Sequence, residues 1–314
     1  MKPNKVICVL SVIIPAYNEE EVLEEFYGRI TSALDKIDMP YELVFVNDGS
    51  RDRTLPILED ICRQDERAVV IDLSRNFGKE IAVSAGIDFA KGDAVVIIDA
   101  DLQDPPELIP DLIAQWRNGY DNVYARRTSR DGESVLKKLT SYLFYRVIGR
   151  MTNIDIPADT GDFRLLSRRA VDALKQLPER NRFMKGLYSW IGYPSIAVEY
   201  RRDPRHAGQT KWNYWKLWNF ALEGITSFTE VPLKLASYIG GFIAFAAFCF
   251  GIYIIVDTLF YGNEVKGYPS LIVTVLFLGG IQLIFIGILG EYLGRAFAEA
   301  KQRPLYFVNK VVKK

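Results

Sequence analysis

Two aspartates separated by one residue follow an apolar run near the middle of the amino-terminal half. Asp99 and Asp101 come directly after Ala94–Ile98, and Gln103 stands two residues further on. Two carboxylates at a strand end can hold a hard divalent cation against phosphate oxygens, and Gln103 can add an oxygen ligand. The sequence therefore predicts a Mg2+ (or Mn2+) site that neutralises charge on a departing nucleoside diphosphate. An acidic pair taken alone also fits a solvated turn.

Two other loops carry groups that could bind a nucleotide or an anion. Asp48 and Gly49 close the run Glu42–Val46, although an Asx turn followed by a helix N-cap explains the same residues. Ser74–Lys79 follows the run Val69–Leu73 and offers cations and helix-start amides to an anion. A solvated basic turn is the alternative for this second loop.

The elements that must position these loops alternate along the chain. Strand-like runs are separated by amphipathic, helix-like segments, which predicts a parallel sheet covered on both faces. In such sheets the ligand site lies beyond the carboxyl ends of the strands. The runs are Val6–Ile14, Glu42–Val46, Val69–Leu73 and Ala94–Ile98, and the segments between them are roughly Glu19–Lys36, Asp52–Arg63 and Lys79–Ala90.

Composition and missing motifs exclude several classes of protein. The 314 residues include 39 basic and 39 acidic side chains, so no global field favours nucleic acid as a partner. A single histidine, His206, argues against most zinc sites, and three cysteines without metal or disulfide spacing indicate a reducing compartment. No dinucleotide-binding glycine fingerprint or P-loop is present.

The carboxyl-terminal part has the composition of membrane helices. Tyr238–Val256 and Gly267–Gly290 contain no charged residue, and at ~1.5 Å per residue each can span a ~30 Å hydrocarbon core. Two buried core helices are the alternative. Basic residues follow the second run whereas the connecting loop offers only Lys266, which predicts a hairpin with both termini in the cytoplasm. Two spans without buried charges do not favour a transporter.

These patterns define five predicted segments. A catalytic domain of residues 1–210 is followed by juxtamembrane helices at 211–236, where tryptophans and lysines alternate as at a lipid headgroup layer. An amphipathic helix packed on the soluble domain is the alternative there. Transmembrane helices are predicted at 237–260 and 267–294, and a basic cytoplasmic tail at 295–314. Paired glycines, Gly240-Gly241 and Gly279-Gly280, permit close helix packing and a homo-oligomer.

Five motifs in this order resemble family 2 glycosyltransferases, and more narrowly the bacterial polyprenyl-phosphate (bactoprenol) glucosyltransferases, relatives of dolichyl-phosphate mannose synthases. The resemblance covers nearly the whole chain, including the hairpin. The motifs are Pro15-Ala16-Tyr17-Asn18-Glu19, Asn47-Asp48-Gly49-Ser50, Ser74-Arg75-Asn76-Phe77-Gly78-Lys79, Asp99-Ala100-Asp101-Leu102-Gln103-Asp104-Pro105-Pro106 and Thr160-Gly161-Asp162-Phe163-Arg164.

The resemblance implies an α/β GT-A fold with a central, mostly parallel sheet, an inverting mechanism and a divalent metal. The expected substrates are a nucleotide-sugar, favoured as UDP-glucose, and a polyprenyl phosphate in the cytoplasmic membrane. The processive Gln-x-x-Arg-Trp motif is absent, which favours transfer of a single sugar.

Family roles carry over to individual positions of this chain. Asp101 and Asp162 are expected to be catalytic, Asp162 near the reacting sugar and Asp101 through the metal. The residues expected at the nucleotide are Pro15, Tyr17, Glu19, Asp48, Lys79 and Asp99; those at the metal are Asp99, Asp101 and Gln103; and those at the acceptor phosphate are Arg126, Arg127, Arg130, Lys137, Arg205 and Lys211. Thr210 stands where the family usually has serine and keeps the hydroxyl.

The chemistry of the expected acceptor bears on the role of Asp162. A phosphate monoester with a second pKa near ~6 is already a charged nucleophile at neutral pH, so Asp162 is predicted to orient substrate or basic groups more than to remove a proton. A hydroxyl-bearing lipid acceptor is the alternative, and it would need a true base. A catalytically idle scaffold is a further alternative, which the retention of Asp99, Asp101 and Gln103 disfavours.

Overall fold

The computed structural model describes residues 8–128, 157, 160–177, 179–180, 182–200, 229, 231–261 and 267–314. The chain divides into two compact units. The first comprises Met1–Asn219 together with Arg303–Lys314, and the second comprises Phe220–Gln302.

Four parallel strands form the centre of the sheet in the first unit. β1 (Leu10–Ala16) pairs with β2 (Tyr41–Asn47) on one side and with β4 (Ala94–Ile97) on the other, and β2 pairs with β3 (Ala68–Leu73). Their side chains are almost all buried, as expected for strands covered on both faces. Their carboxyl ends meet at one edge, where the predicted site loops begin.

Four helices connect and cover these strands in the described part of the unit, three of them amphipathic and one, the third in chain order, buried through its middle. They are α1 (Leu23–Leu34), α2 (Thr54–Gln64), α3 (Lys79–Phe89) and α4 (Ile109–Arg117), the last preceded by a 3-10 turn at Pro106–Leu108. The helix α3 lies very close to β1, because a Cβ on Gly86 would stand 2.3 Å from Cγ2 of Ile13. That approach fixes the start of α3, and with it Lys79, at the site edge.

The sheet continues beyond β4 with mixed pairing. β6 (Thr160–Ser167) runs antiparallel to β4, with Ile97 opposite Arg164, and its end leads into α5 (Arg168–Lys175). β5 (Asn122–Arg127) pairs antiparallel with β6 and parallel with β7 (Ser195–Tyr200), which follows the short helix α6 (Met184–Trp190). Because β6 is antiparallel to β4, its first residues lie at the carboxyl end of β4.

A strand from the carboxyl-terminal region completes the sheet. β8 (Val308–Lys313) pairs antiparallel with β3, giving eight strands in the order β7-β5-β6-β4-β1-β2-β3-β8. The sequence indicates only a basic tail for residues 295–314, and the structure differs from that reading. The backbone of β8 finds its hydrogen-bond partners on β3, which the sequence Val308–Lys313 by itself did not indicate.

The second unit contains two long helices, α7 (Val231–Tyr261) and α8 (Tyr268–Ala300). Within the described part of the chain, these two are long and apolar enough to cross a membrane, over Val231–Phe250 and Phe277–Ala300. The hydroxyl of Tyr292 donates to the carbonyl oxygen of Thr229 at 2.6 Å. Both helices extend beyond the predicted spans 237–260 and 267–294, and most of the predicted juxtamembrane segment 211–236 lies outside the described residues.

The predicted mostly parallel α/β sheet is confirmed, and so is the presence of two apolar helices after it. The strands begin and end within a few residues of the predicted runs. The exception is the first, where β1 begins at Leu10 rather than near Val6 and residues 1–7 lie outside the described part.

Candidate functional site

The loops after β1 and β2 hold each other at the carboxyl edge of the sheet. The backbone amide of Asn18 donates to Oγ of Ser50 at 3.1 Å, and the amide of Glu19 donates to Oγ1 of Thr54 at 2.8 Å. Asn18 has a φ of 54°, a left-handed conformation that asparagine tolerates better than most residues. Pro15, near the end of β1, and Tyr17 and Glu19, on the braced loop after it, are all predicted at the nucleotide and lie at this edge.

Asp48 joins the loop after β2 to the loop after β3. Its carboxylate accepts hydrogen bonds from the backbone amides of Phe77, at 2.7 Å, and Gly78, at 2.9 Å. Burial raises the pKa of Asp48, and these two hydrogen bonds oppose that rise. A Cβ on Gly49 would stand 2.4 Å from the backbone carbon of Arg75, and its φ is 63°. The two loops thus pack backbone against backbone, with Asp48 between them.

The Asp99–Gln103 turn has a strained backbone. Leu102 is fully buried and adopts a φ of 59°, a conformation that costs about 1–3 kcal/mol for a residue of this kind. The backbone amide of Gln103 donates to Oδ1 of Asp101 at 3.1 Å. The buried leucine holds the turn in place and brings the predicted metal ligands Asp99, Asp101 and Gln103 onto one short loop.

Lys79 connects the acidic turn with the first residues of β6. Its Nζ lies 2.7 Å from Oδ2 of Asp99 and 2.6 Å from Oδ2 of Asp162. The pairing of β4 with β6 explains this meeting, since Asp99 follows Ile97 by two residues and Asp162 precedes Arg164 by two. The structure therefore brings together three of the predicted site residues from three different elements.

The charges of this group are strongly interdependent. Burial, together with the nearby carboxylates of Asp162, Asp104 and Asp101, raises the pKa of Asp99 to about 6, although Lys79 opposes the rise. Burial alone would also raise the pKa of Asp162, but Lys79 and then Lys185 hold it well below its usual range. The ammonium of Lys79 thus keeps Asp162 ionised while Asp99 shares that cation with it.

Several buried polar groups beside Asp162 were not predicted to have a role. Oδ1 of Asp162, Nε of Arg164 and the hydroxyl of Tyr188 are buried without a hydrogen-bond partner among the residues that the structure describes. The Arg164 guanidinium lies 3.7 Å from the centre of the Tyr188 ring. Glu80 accepts a hydrogen bond from the amide of Met184 at 3.3 Å, and burial raises its pKa to about 8. The sequence offered a signal for Arg164, which ends the Thr160–Arg164 motif, and for Glu80, which follows Lys79. Nothing in the sequence indicated a role for Tyr188.

Two neighbouring arginines on β5 have different surroundings. Arg126 forms an ion pair with Glu199 on β7, and both side chains are exposed. Nε of Arg127 donates to the hydroxyl of Tyr200 at 3.3 Å, and its Nη2 would lie 3.2 Å from a Cβ on Gly161. Tyr200 in turn donates to Asp104. Successive strand residues point to opposite faces, so Arg127 is the one of the pair directed toward Tyr200, Asp104 and the backbone of Gly161.

The other predicted acceptor ligands lie outside the described residues. These are Arg130, Lys137, Arg205 and Lys211, so their part in the site stays a prediction.

The oxygen ligands of the Asp99–Gln103 turn can hold a divalent cation only if a substrate supplies further ligands. Among the described residues, no group of three or more histidine, cysteine, aspartate or glutamate side chains is arranged to hold a metal. Three further carboxylates raise the pKa of Asp99, and the cations Lys79 and Arg127 interact with it in the opposite sense. Mg2+ is commonly bound by one or two carboxylates completed by phosphate oxygens and water, and the Asp99–Asp101 pair can supply that share.

Comparison with known proteins gives two family matches. Residues 11–175 match the model of glycosyl transferase family 2, and residues 231–296 match the GtrB C-terminal hairpin.

Several curated relatives match over nearly their whole length. An uncharacterized glycosyltransferase of Synechocystis sp. is 55% identical over 300 residues, covering 96% of this chain and 94% of the relative. A prophage bactoprenol glucosyl transferase homolog of Escherichia coli is 48% identical over 304 residues, 97% of this chain and 99% of the relative. The bactoprenol glucosyl transferase of Shigella phage SfV is 49% identical over 300 residues, 96% and 98% respectively.

Among solved structures, glucosyl-3-phosphoglycerate synthase from Mycobacterium tuberculosis, in complex with Mn2+, uridine-diphosphate-glucose and phosphoglyceric acid, is similar at a TM-score of 0.47. It is 20% identical, and the match covers 70% of this chain and 78% of that chain.

Proposed function

Because the chain belongs to glycosyl transferase family 2 and is a glycosyltransferase, we propose that it transfers one glucose from UDP-glucose to a polyprenyl phosphate, undecaprenyl phosphate in bacteria. The products are polyprenyl-phosphate-glucose and UDP. The observation that carries this proposal is the group formed by Lys79, Asp99 and Asp162 beside Asp101 at the carboxyl edge of the sheet. Such a group can bind the donor diphosphate through a metal and hold the acceptor near the sugar.

The acceptor class is supported by the relatives and by the second unit. Two relatives that cover nearly the whole chain are named for bactoprenol glucosyl transfer. The helices α7 and α8 carry exposed apolar side chains along their length, for example Phe242, Leu259 and Leu283, as helices in lipid do. We infer a hairpin that keeps the enzyme at the membrane surface where a polyprenyl phosphate presents its headgroup.

The order of the elements along the chain supports placing both ends of the helical hairpin on the same side of the membrane. The strands before α7 and the strand β8 after α8 belong to the same sheet. Two crossings return the chain to the side from which it left, and the basic residues in the last turns of α8 and just after it, Arg295, Lys301 and Arg303, favour the cytoplasm. We infer a two-span protein of the cytoplasmic membrane with its catalytic domain in the cytoplasm.

Mg2+ or Mn2+ bound at Asp99 and Asp101 would neutralise negative charge on the leaving diphosphate. Pro15, Tyr17, Glu19 and Asp48 are proposed to surround the uridine, because their loops are braced against one another at this edge. Lys79 is proposed to bind the donor phosphates, and Gln103 to add an oxygen ligand to the metal.

In the proposed reaction a phosphate oxygen of the acceptor attacks the anomeric carbon on the face opposite the departing UDP. One carbon–oxygen bond forms and another breaks, which inverts the configuration. The nucleophile is already an anion, since the second pKa of a phosphate monoester lies near ~6. Arg127 is proposed to screen that anion, and Asp162 to orient Lys79 and the sugar rather than to remove a proton.

The experiment that tests this function is transfer of radiolabelled glucose from UDP-glucose to undecaprenyl phosphate by the full-length purified protein. We expect label in the lipid phase with Mg2+, none with EDTA, and a severe loss in Asp101→Asn. If label enters lipid only with a different nucleotide-sugar, the sugar assignment is wrong. If a hydroxyl-bearing lipid is labelled instead of the phosphate, the acceptor assignment is wrong.

A further inference from the structure

The strand β8 contacts the loop that carries Lys79 as well as the edge of the sheet. Beyond the regular pairing of β8 with β3, the backbone amide of Ser74 donates to the carbonyl oxygen of Phe307 at 2.9 Å. Ser74 is the first residue of the loop that ends at Lys79. The chain that follows α8 therefore holds the start of a donor-site loop.

A bulge in the β3–β8 pairing accompanies the contact of one side chain of β8 with Asp72 of β3. Asp72 is opposite Lys310 and Leu73 is opposite Val308, so Asn309 is the extra residue between them. Bulges commonly redirect a side chain. Here Nδ2 of Asn309 donates to Oδ2 of Asp72 at 2.7 Å.

Asp72 also forms a hydrogen bond with a residue of β2, so it links β8 to β2. It is buried, with an exposure of 3%, and its other oxygen accepts a hydrogen bond from Nδ2 of Asn47 at 2.7 Å. A buried carboxylate is tolerated only when its oxygens are hydrogen-bonded. The amides of Asn47 and Asn309, on either side of β3, supply one hydrogen bond to each oxygen.

Asn47 is itself part of the loop that carries Asp48. Its Oδ1 accepts a hydrogen bond from the backbone amide of Ser50 at 3.3 Å, and Ser50 accepts one from Asn18. Side-chain hydrogen bonds thus run from Asn309 through Asp72 and Asn47 to the loops that face the nucleotide.

We propose that Asn309 is a positioning residue for nucleotide binding: paired with β3, it fixes Asp72 and Asn47, and through them the Asp48 loop. This inference rests on the proposed role of the Asp48 loop at the nucleotide. It gives the segment after the membrane hairpin a part in the donor site without any contact with the substrate.

The test uses the full-length protein in lipid nanodiscs, with UDP affinity measured by calorimetry and KM for UDP-glucose measured separately from kcat. Asn309→Asp places a second carboxylate against Asp72, so we expect the Kd for UDP and the KM to rise about tenfold, with kcat within about twofold of the original. Asn309→Leu removes the donor without adding charge and should raise both about fivefold.

Two further variants separate positioning from general docking of β8. The exchange Asp72→Asn with Asn309→Asp restores an amide facing a carboxylate and should return UDP affinity to within about twofold of the original. Tyr306→Phe removes a different contact of the same segment, the 2.8 Å hydrogen bond to Asp88 at the far end of α3, and should leave UDP affinity unchanged.

The proposal is overturned if Asn309→Asp and Asn309→Leu leave UDP affinity unchanged while Asp48→Asn weakens it. Failure of the exchange to restore affinity, or an equal loss in Tyr306→Phe, overturns it as well. If Asp48→Asn does not weaken UDP binding, the nucleotide site itself is wrongly placed, and the role of Asn309 falls with it.

Discussion

Replacing Asp162 with asparagine distinguishes a base from an orienting group. The carboxylate is buried, and one oxygen lies 2.6 Å from Nζ of Lys79. Although burial would raise its pKa, Lys79 and Lys185 hold that pKa well below the usual range. A general base is most effective when its pKa lies near the working pH. Asp162 is therefore a weak proton acceptor, and we expect Asp162→Asn to act through the lost ion pair.

The expected size of the effect follows from that contact. A hydrogen bond to a charged group contributes about 1.5–3 kcal/mol, which corresponds to a loss of about 10- to 150-fold. The amide oxygen of asparagine can still accept a hydrogen bond from Lys79, so the lower end of that range is expected for kcat/KM. Removal of a true general base costs about 100- to 10,000-fold and changes the pH dependence.

The assay is kcat/KM for the acceptor from about pH 5 to pH 8, where a phosphate monoester gains its second charge. The rate should rise through the acceptor's own ionisation near ~6 in both the original protein and Asp162→Asn, so the two curves should be parallel. Asp101→Asn, measured alongside, should lose more activity than Asp162→Asn. A loss in Asp162→Asn as deep as that in Asp101→Asn, with a shifted pH profile, would refute the reasoning and favour a hydroxyl acceptor.

Three other predictions follow from single contacts. Gly86→Ala forces a methyl group to 2.3 Å from Ile13 and should lower the free energy of unfolding by about 1–3 kcal/mol. Gly28→Ala in α1 has open space around it and should raise the free energy of unfolding by about 0.5–1 kcal/mol; thermal unfolding of both variants checks this. Arg127→Ala should raise the KM for the acceptor about tenfold or more, and Arg126→Ala, whose partner Glu199 is exposed, should change it less than about threefold. Lys79→Met should raise the pKa of Asp162 by removing the cation 2.6 Å away, shown by a carboxylate titration in the NMR spectrum, and raise the KM for UDP-glucose; an unchanged titration would contradict the ion pair.

The central sheet could be predicted because its strands are apolar on both faces. Runs such as Leu43–Val46 are wholly buried, and their alternation with amphipathic segments has few other solutions. The same logic placed Asp48 and Asp99 at one edge, since parallel strands end together. Local pattern was sufficient for these residues.

The parts that could not be predicted depend on pairing between distant segments. Asp162 is brought to Asp99 by antiparallel pairing of β6 with β4, and the sequence alone offered only the family resemblance for it. Arg126 and Arg127 carry the same charge, and only the faces of β5 distinguish them. The sequence of β8 predicts only a basic tail, because the strand is stabilised by pairing with the edge of β3 and the residues of β8 alone do not indicate that partner.

The place of β8 in the sheet also constrains the order of events during synthesis. Proteins fold largely from the amino terminus as they emerge from the ribosome, yet the edge of β3 has no partner on its outer side until residues 308–313 have been made. Both apolar helices come before that segment in the chain. An unpaired edge strand is a site of aggregation, so the nascent enzyme must pass through a stage in which its helices have left the ribosome while its sheet is still incomplete.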